Sequence, residues 1–265
     1  MNRVSLLALS LLVGCAKDTT DGDSSSDSGD VIDTAPAADP VTMKGYFEDG
    51  LNGNALKNAS ICVEEPDIGD DNCYETNNKG ILNWTWEEPK KTNFILKFEL
   101  ANYIPTLFTG RYADDIAEVW AEEIAAKGFI ELIYSTFTTI GVDQVLGSGG
   151  VTRDDTKGHV LLNLITPSGF GVGNIKVQVT DSNGDTAGQV NYFNASMSSI
   201  DSSLKGTSAS GTTVITNIEP GEHTITLVDD ARTCTPWFSW NSDVANSVQV
   251  PVQAGTMTRT GLVCQ

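Results

Sequence analysis

The chain has 265 residues and a formal net charge of −19, from 35 Asp and Glu against 16 Lys and Arg. Such a surface repels phosphate backbones and no basic stripe offsets it, which disfavours nucleic-acid binding and electrostatic adhesion to anionic lipid. No stretch of 18 consecutive apolar residues occurs, so the sequence predicts no transmembrane helix.

Residues 1–14 open with a single positive charge, Arg3, and continue as an apolar run from Val4 to Leu12. The run is shorter than the roughly 20 residues a spanning helix needs and has the form of a signal-peptide core. It ends in Leu12-Val13-Gly14-Cys15, which resembles the bacterial lipobox, in which small residues precede a cysteine that receives diacylglycerol. The resemblance implies cleavage before Cys15, acylation of Cys15, and attachment to the cell envelope. Ala16 follows the cysteine, not Asp, which favours the outer membrane in a two-membrane cell. The lipid would then supply the membrane affinity, at about 0.8 kcal/mol per buried CH₂. Residues 15–40 are rich in Asp, Ser, Thr, Gly and Pro and nearly lack large apolar side chains. They read as a disordered acidic linker with a root-mean-square span of roughly 25–30 Å.

From Val41 the pattern becomes strand-like. Runs at 41–47, 57–63 and 73–76 precede a turn at Asn77-Asn78-Lys79-Gly80. Two further runs alternate with period two: Leu82, Trp84 and Trp86 share one face, as do Phe94, Leu96, Phe98 and Leu100. This predicts antiparallel strands over a core, and a first β-sandwich over 41–112. In 113–140 the spacing changes. Ile116, Val119, Trp120 and Ile124 recur at i, i+3, i+4 and i+8 after Asp114 and Asp115, and Phe129, Leu132, Ile133, Phe137 and Ile140 continue similarly. This reads as one or two helices, followed by a Gly/Ser/Asp linker over 142–156. Residues 113–156 are thus a helical connector. Over 157–265 the first pattern returns: 157–164 matches the opening strand, 173–179 the second, 210–218 the strand after the turn, and 219–227 the next. The expectation is all-β: two tandem Ig-like or transthyretin-like antiparallel β-sandwiches joined by a short helical segment.

Both repeats resemble the carboxypeptidase regulatory-like domain, a transthyretin-like sandwich. The second does so through Gly158, Val177, Val179, Gly211, Asn217, Ile218, Pro220 and Gly221, the first through Gly45, Ala59, Ile61, Val63 and Gly80. The first repeat lacks the Pro-Gly turn and carries an acidic insert from Glu64 to Asp71. The whole arrangement is also similar to lipoproteins of Myxococcota and related bacteria. These motifs are turn and core signatures, which specify a fold and not an activity. The resemblance implies a non-catalytic module, with an accessory domain of a hydrolase system as an alternative.

Beyond Cys15, four cysteines remain: Cys62, Cys73, Cys234 and Cys264. An even number in an exported chain reads as two disulfides. Three connectivities are open, and Cys62–Cys73 with Cys234–Cys264 is the simplest. The two histidines, His159 and His223, have no HExxH context or neighbouring nucleophile, so both read as structural, with no catalytic residue, metal or cofactor assigned. Two acidic stretches are candidates for calcium, Glu64–Asp71 and Asp181-Ser182-Asn183-Gly184-Asp185. The second lacks the glutamate an EF-hand loop requires and reads better as a hairpin turn of type I′. Trp237, Phe238 and Trp240 form an aromatic stretch after Cys234. They could stack sugars, but packing against the Cys234 disulfide is preferred, by analogy with buried tryptophan beside a sandwich disulfide. The partners expected are the membrane, through the lipid, and an envelope protein or glycan.

Overall fold

The computed structural model describes residues 41–65, 73–86, 93–111, 125–128, 130–228, 232–238 and 244–265. The expected signal peptide, Cys15, the acidic linker, the helical stretch from 113 to 124, Trp240 and most of the Glu64–Asp71 insert lie outside these residues.

Fifteen strands and one helix make up the named elements. The first repeat comprises β1 (Val41–Asp49), β2 (Ser60–Glu65), β3 (Cys73–Glu75), β4 (Ile81–Trp86), β5 (Asn93–Glu99), β6 (Thr106–Arg111) and β7 (Ile130–Thr136). Helix α1 (Thr139–Ser148) follows. The second repeat comprises β8 (Gly158–Ile165), β9 (Lys176–Asp181), β10 (Gln189–Tyr192), β11 (Thr212–Ile218), β12 (Gly221–Val228), β13 (Cys234–Phe238), β14 (Ser247–Val252) and β15 (Met257–Cys264).

The strand order makes the internal repeat explicit. In the first repeat one sheet runs β4-β1-β7 and the facing sheet carries β6-β5-β2. In the second, β11-β8-β15 and β14-β12-β9 are their counterparts. Each repeat pairs its first strand with its last in parallel, β1 with β7 and β8 with β15, and with its post-turn strand in antiparallel, β1 with β4 and β8 with β11.

The all-β expectation holds, with two differences. First, the sheets are not purely antiparallel, because the closing strand of each repeat returns alongside the opening one. Second, the sandwiches are not separate bodies on a connector. Met257, Thr258 and Arg259 of β15 pair in parallel with Thr106, Leu107 and Phe108 of β6. One nine-stranded sheet therefore runs through both repeats.

The cores follow from this geometry. Phe47, Ile61, Leu82, Phe94, Leu96, Phe98, Phe108 and Tyr134 fill the first sandwich. Phe47 stacks on Tyr134 at 4.9 Å, and Phe108 meets the same ring edge-on at 4.8 Å. In the second, Val160, Leu162 and Leu164 of β8 meet Val177, Val179, Ile225, Leu227 and Val250. The other face of β8 is covered too, since Leu161 packs with Val142 and Leu146 of α1 and with Met257. That explains why Val160, Leu161 and Leu162 of β8 are apolar in succession, which alternation alone would not produce.

Residues 130–156 correct the connector expected over 113–156. Residues 130–136 are a strand of the first sandwich, and α1 occupies what read as linker. Ile130, Leu132, Tyr134 and Thr136 alternate with Glu131, Ile133 and Ser135, so period two was also present in the sequence. The helical spacing of Leu132, Ile133 and Phe137 arises because Ile133 is an outward residue of the strand, 52% exposed. α1 begins at the N-cap Thr138, whose Oγ1 accepts from Gly141 N–H at 3.1 Å.

Gly80 and Gly211 occupy the same place in the two repeats, just before β4 and β11. Both adopt left-handed φ, +69° and +66°. Each carbonyl accepts from the opening strand: from Phe47 N–H at 2.8 Å and from Leu164 N–H at 2.8 Å. A Cβ would lie 2.6 Å from Phe47 O in one case and 2.0 Å from Leu164 O in the other. Only glycine combines that φ with that approach.

Candidate functional site

Both disulfides link residues directly opposite in antiparallel pairs, Cys62 with Cys73 across β2–β3 and Cys234 with Cys264 across β13–β15. They settle the connectivity left open by the sequence. Their settings differ: Cys234 and Cys264 belong to the second core, whereas Cys73 is exposed on a three-residue edge strand.

Packing of the aromatic stretch against the Cys234 disulfide does not describe Trp237. That side chain is 46% exposed on β13. The register of β13 slips between Pro236 and Phe238, where β13 bulges against β15. A bulge re-aims side chains, and the proline limits further strand pairing at that edge. The side chains of Phe238 and Trp240 are outside the described residues, so Trp237 alone represents the stretch.

The histidines occupy interior sites. His159 is fully buried on β8. Its Nδ1 accepts from Asn217 N–H at 3.3 Å. Burial, reinforced by the neighbouring Arg153 guanidinium, lowers its pKa to about 4. The ring is therefore neutral at pH 7. His223 is also buried, with Nε2 2.7 Å from Glu219 O. The two histidines lie on different strands and engage backbone groups in the described hydrogen bonds.

The turn at Asp181–Asp185 directs its first carboxylate to its own backbone. Asp181 Oδ1 accepts from Asn183 N–H and Asp185 N–H, both at 2.9 Å. These bonds hold the Asp181 carboxyl below the usual range, with the Asp185 bond the largest cause. Gly184 takes φ +87° but Asn183 does not take positive φ, so the turn is not of type I′, which needs both. Among the described residues, no three His, Cys, Asp or Glu side chains converge as a metal site.

Two shallow grooves open on the second repeat. One, about 550 Å³, lies between the β9 and β10 edges and is lined by Lys176, Gln189, Asn191, Tyr192, Asp201 and Lys205 among others. The other, about 420 Å³, lies beside the buried disulfide and Arg232. Strand addition into the first groove is obstructed. Val177 N–H already donates to Tyr192 Oη at 3.0 Å, and Tyr192 O accepts from Asp201 N–H at 2.9 Å. Its lining comes from four separate segments of the chain, none with a distinguishing motif, so no sequence signal marks it. Among the described residues, no helix is long and apolar enough to cross a membrane.

No protein-family description and no curated protein matches the chain. Several solved structures are similar at low identity. The Bacillus anthracis TIE protein aligns at 9% identity and TM-score 0.28, covering 86% of this chain and 34% of that one. Shaft pilin SpaA of Lactobacillus rhamnosus GG aligns at 10% and 0.27, covering 86% and 98%. The minor pilin GBS52 of Streptococcus agalactiae aligns at 9% and 0.26, covering 84% and 96%. This chain thus spans about a third of the TIE protein, and TM-scores at this level fix neither a common fold nor a common function.

Proposed function

We propose that the chain is a non-enzymatic binding or structural module of the cell envelope, exported and anchored by a lipid on Cys15. The observation that carries this reading is the pair of closed disulfides, which belong to an oxidising compartment; the resemblance of residues 1–15 to a lipoprotein leader followed by its cysteine supports it. The fused sheet adds a second support: it makes the two repeats one stiff body suited to being held off a surface by the acidic 15–40 segment. Fractionation of cells expressing wild type and Cys15→Ala tests it. Wild type should enter the membrane pellet and resist alkaline washing, and Cys15→Ala should be released. Retention of the variant in the washed membrane would sink the anchoring claim.

A second reading is favoured by one observation, the exposure of Trp237 on an edge strand. An exposed indole offers a flat apolar face to a sugar ring, so the module binds envelope or neighbouring-cell glycans through the Trp237–Trp240 stretch. A glycan array with wild type and Trp237→Ala tests it; a blank array for the wild type rejects the reading.

A further inference from the structure

Residues 151–157 pass over His159 as a strap between α1 and β8. Val151 is buried in the cluster under α1. Arg153 Nε donates to Asp143 Oδ1 on α1 at 2.8 Å, and Arg153 also pairs with Asp155. Lys157 pairs with Glu219 at 2.6 Å. The centre of the strap is held by one residue, Asn217 of β11. Its Oδ1 accepts from Asp154 N–H at 3.0 Å, and its Nδ2 donates to Thr152 O at 3.0 Å. Asn217 itself sits at φ +56°, a conformation that places its backbone N–H on His159 Nδ1.

The arrangement requires a neutral imidazole. With Asn217 N–H pointing at it, Nδ1 must keep its lone pair. The neutral ring then carries its proton on Nε2, which has no partner among the described residues, so no acceptor is there to stabilise an imidazolium. We propose that the strap is an acid-released latch: a proton on His159 Nδ1 faces the Asn217 N–H donor, breaks that bond, and frees residues 151–157, and α1 with them, from the shared sheet.

The charged groups around the ring set the balance. Arg153 opposes an imidazolium, and Asp143 of α1 with Asp154 and Asp155 of the strap favour one. β15 contributes Met257, opposite His159, and the residue before it, Thr256, accepts through its carbonyl from the His159 backbone N–H; neither is charged. Burial and Arg153 outweigh the three carboxylates, so the latch stays shut at neutral pH. α1 is the element best placed to follow the strap. It has ten residues, only Val142 and Leu146 buried, no acidic residue in its first turn and no basic one in its last. Such a helix is marginal without its packing.

The direction follows from linkage. In the opened state His159 regains an ordinary pKa near 6.5, while in the closed state it titrates at about 4. Opening therefore becomes more favourable as pH falls below 6.5, by about 30-fold at pH 5.

Native-state hydrogen exchange of the folded chain, corrected for intrinsic rates and measured from pH 7.5 to pH 5, tests this. Amides of 151–157 and α1 should lose about 30-fold in protection, while those of β8, β12 and β15 stay protected. His159→Gln, whose side-chain oxygen still accepts from Asn217, should remove the dependence, and His223→Gln should leave it in place. Loss of protection spread evenly over the molecule, or a dependence that survives in His159→Gln, overturns the proposal. Should His159→Gln not fold, the wild-type His159 ring resonance decides. It must stay neutral in the closed form at pH 5 while strap protection falls; an imidazolium in the closed form at that pH overturns the latch.

Discussion

Phe108 of β6 and Arg259 of β15 stand opposite each other in parallel register, so both side chains leave the continuous sheet on the same face. Phe108 enters the first core. Arg259 reaches back to donate to Ser135 O of β7 and lies 5.9 Å from the Phe137 ring. Burial lowers its pKa to about 10, with Glu48 opposing, and it remains charged at pH 7. The same register puts Leu161, on the second repeat, opposite Arg259. The sheet β4-β1-β7 and helix α1 thus cover one face of the shared sheet, and β14-β12-β9 covers the other.

This register predicts that the repeats unfold together. Phe108→Ala removes a buried ring, at a cost of about 3–5 kcal/mol, and should shift a single urea transition seen equally by fluorescence and far-UV dichroism. Two separated transitions, with the second repeat intact after the first melts, would show that β6–β15 pairing does not couple them.

The disulfides should respond to reductant in sequence. Cys62–Cys73 opens first because Cys73 is exposed, and Cys234–Cys264 later because both sulfurs lie in the core. Differential alkylation with mass spectrometry during mild dithiothreitol treatment reads the order. In the chain-entropy treatment the 11-residue and 30-residue separations correspond to about 3 and about 4 kcal/mol, so losing the second pair should cost more.

Trp237→Ala separates two readings of the aromatic stretch by stability alone. A half-exposed side chain on an edge strand should cost less than about 1 kcal/mol. A tryptophan packed in the core would cost about 3–5 kcal/mol, and a loss of that size in chemical denaturation would contradict the exposed placement.

The paired turn glycines give a graded test. Gly211→Ala and Gly80→Ala combine left-handed φ with collision against a backbone oxygen and should cost about 3 kcal/mol or more. Gly184→Ala has positive φ but open space and should cost about 1 kcal/mol. Equal losses at all three positions would remove the argument from close approach.

Tyr103 Oη donates to the buried Asp49 carboxylate at 2.8 Å. Burial first and that bond second push its pKa up to about 12. Unfolded, it ionises near 10, so its contribution is complete below pH 10 and lost as pH rises towards 12, by about 2 kcal/mol. Denaturation between pH 9 and 12 should show this loss in the wild type and a smaller one in Tyr103→Phe. Identical slopes would exclude Tyr103 as its source.

Much of the fold was legible because period two marks half-buried strands, as with Phe94, Leu96 and Phe98, and because glycines such as Gly80 and Gly211 mark obligatory turns. What escaped is non-local. Nothing within Met257-Thr258-Arg259 states that it will pair with Thr106-Leu107-Phe108. Ile133 misled because an outward apolar residue on a strand mimics helical spacing. His159 was readable as structural, but its control by Asn217 was not, since the sequence separates them by 58 positions and Asn217 resembles an ordinary turn residue.

The position of β15 at residues 257–264 has a consequence for biogenesis. The β6 edge of the first repeat is capped by a strand that follows all the other named strands in the chain, so it leaves the ribosome after them, and crosses the membrane after them if export runs from the N-terminus. Until then that edge presents unpaired backbone groups, the surface most prone to intermolecular pairing. Closure across so long a separation is slow, so nascent chains that stop before β15 should aggregate even though every strand of the first repeat is already present.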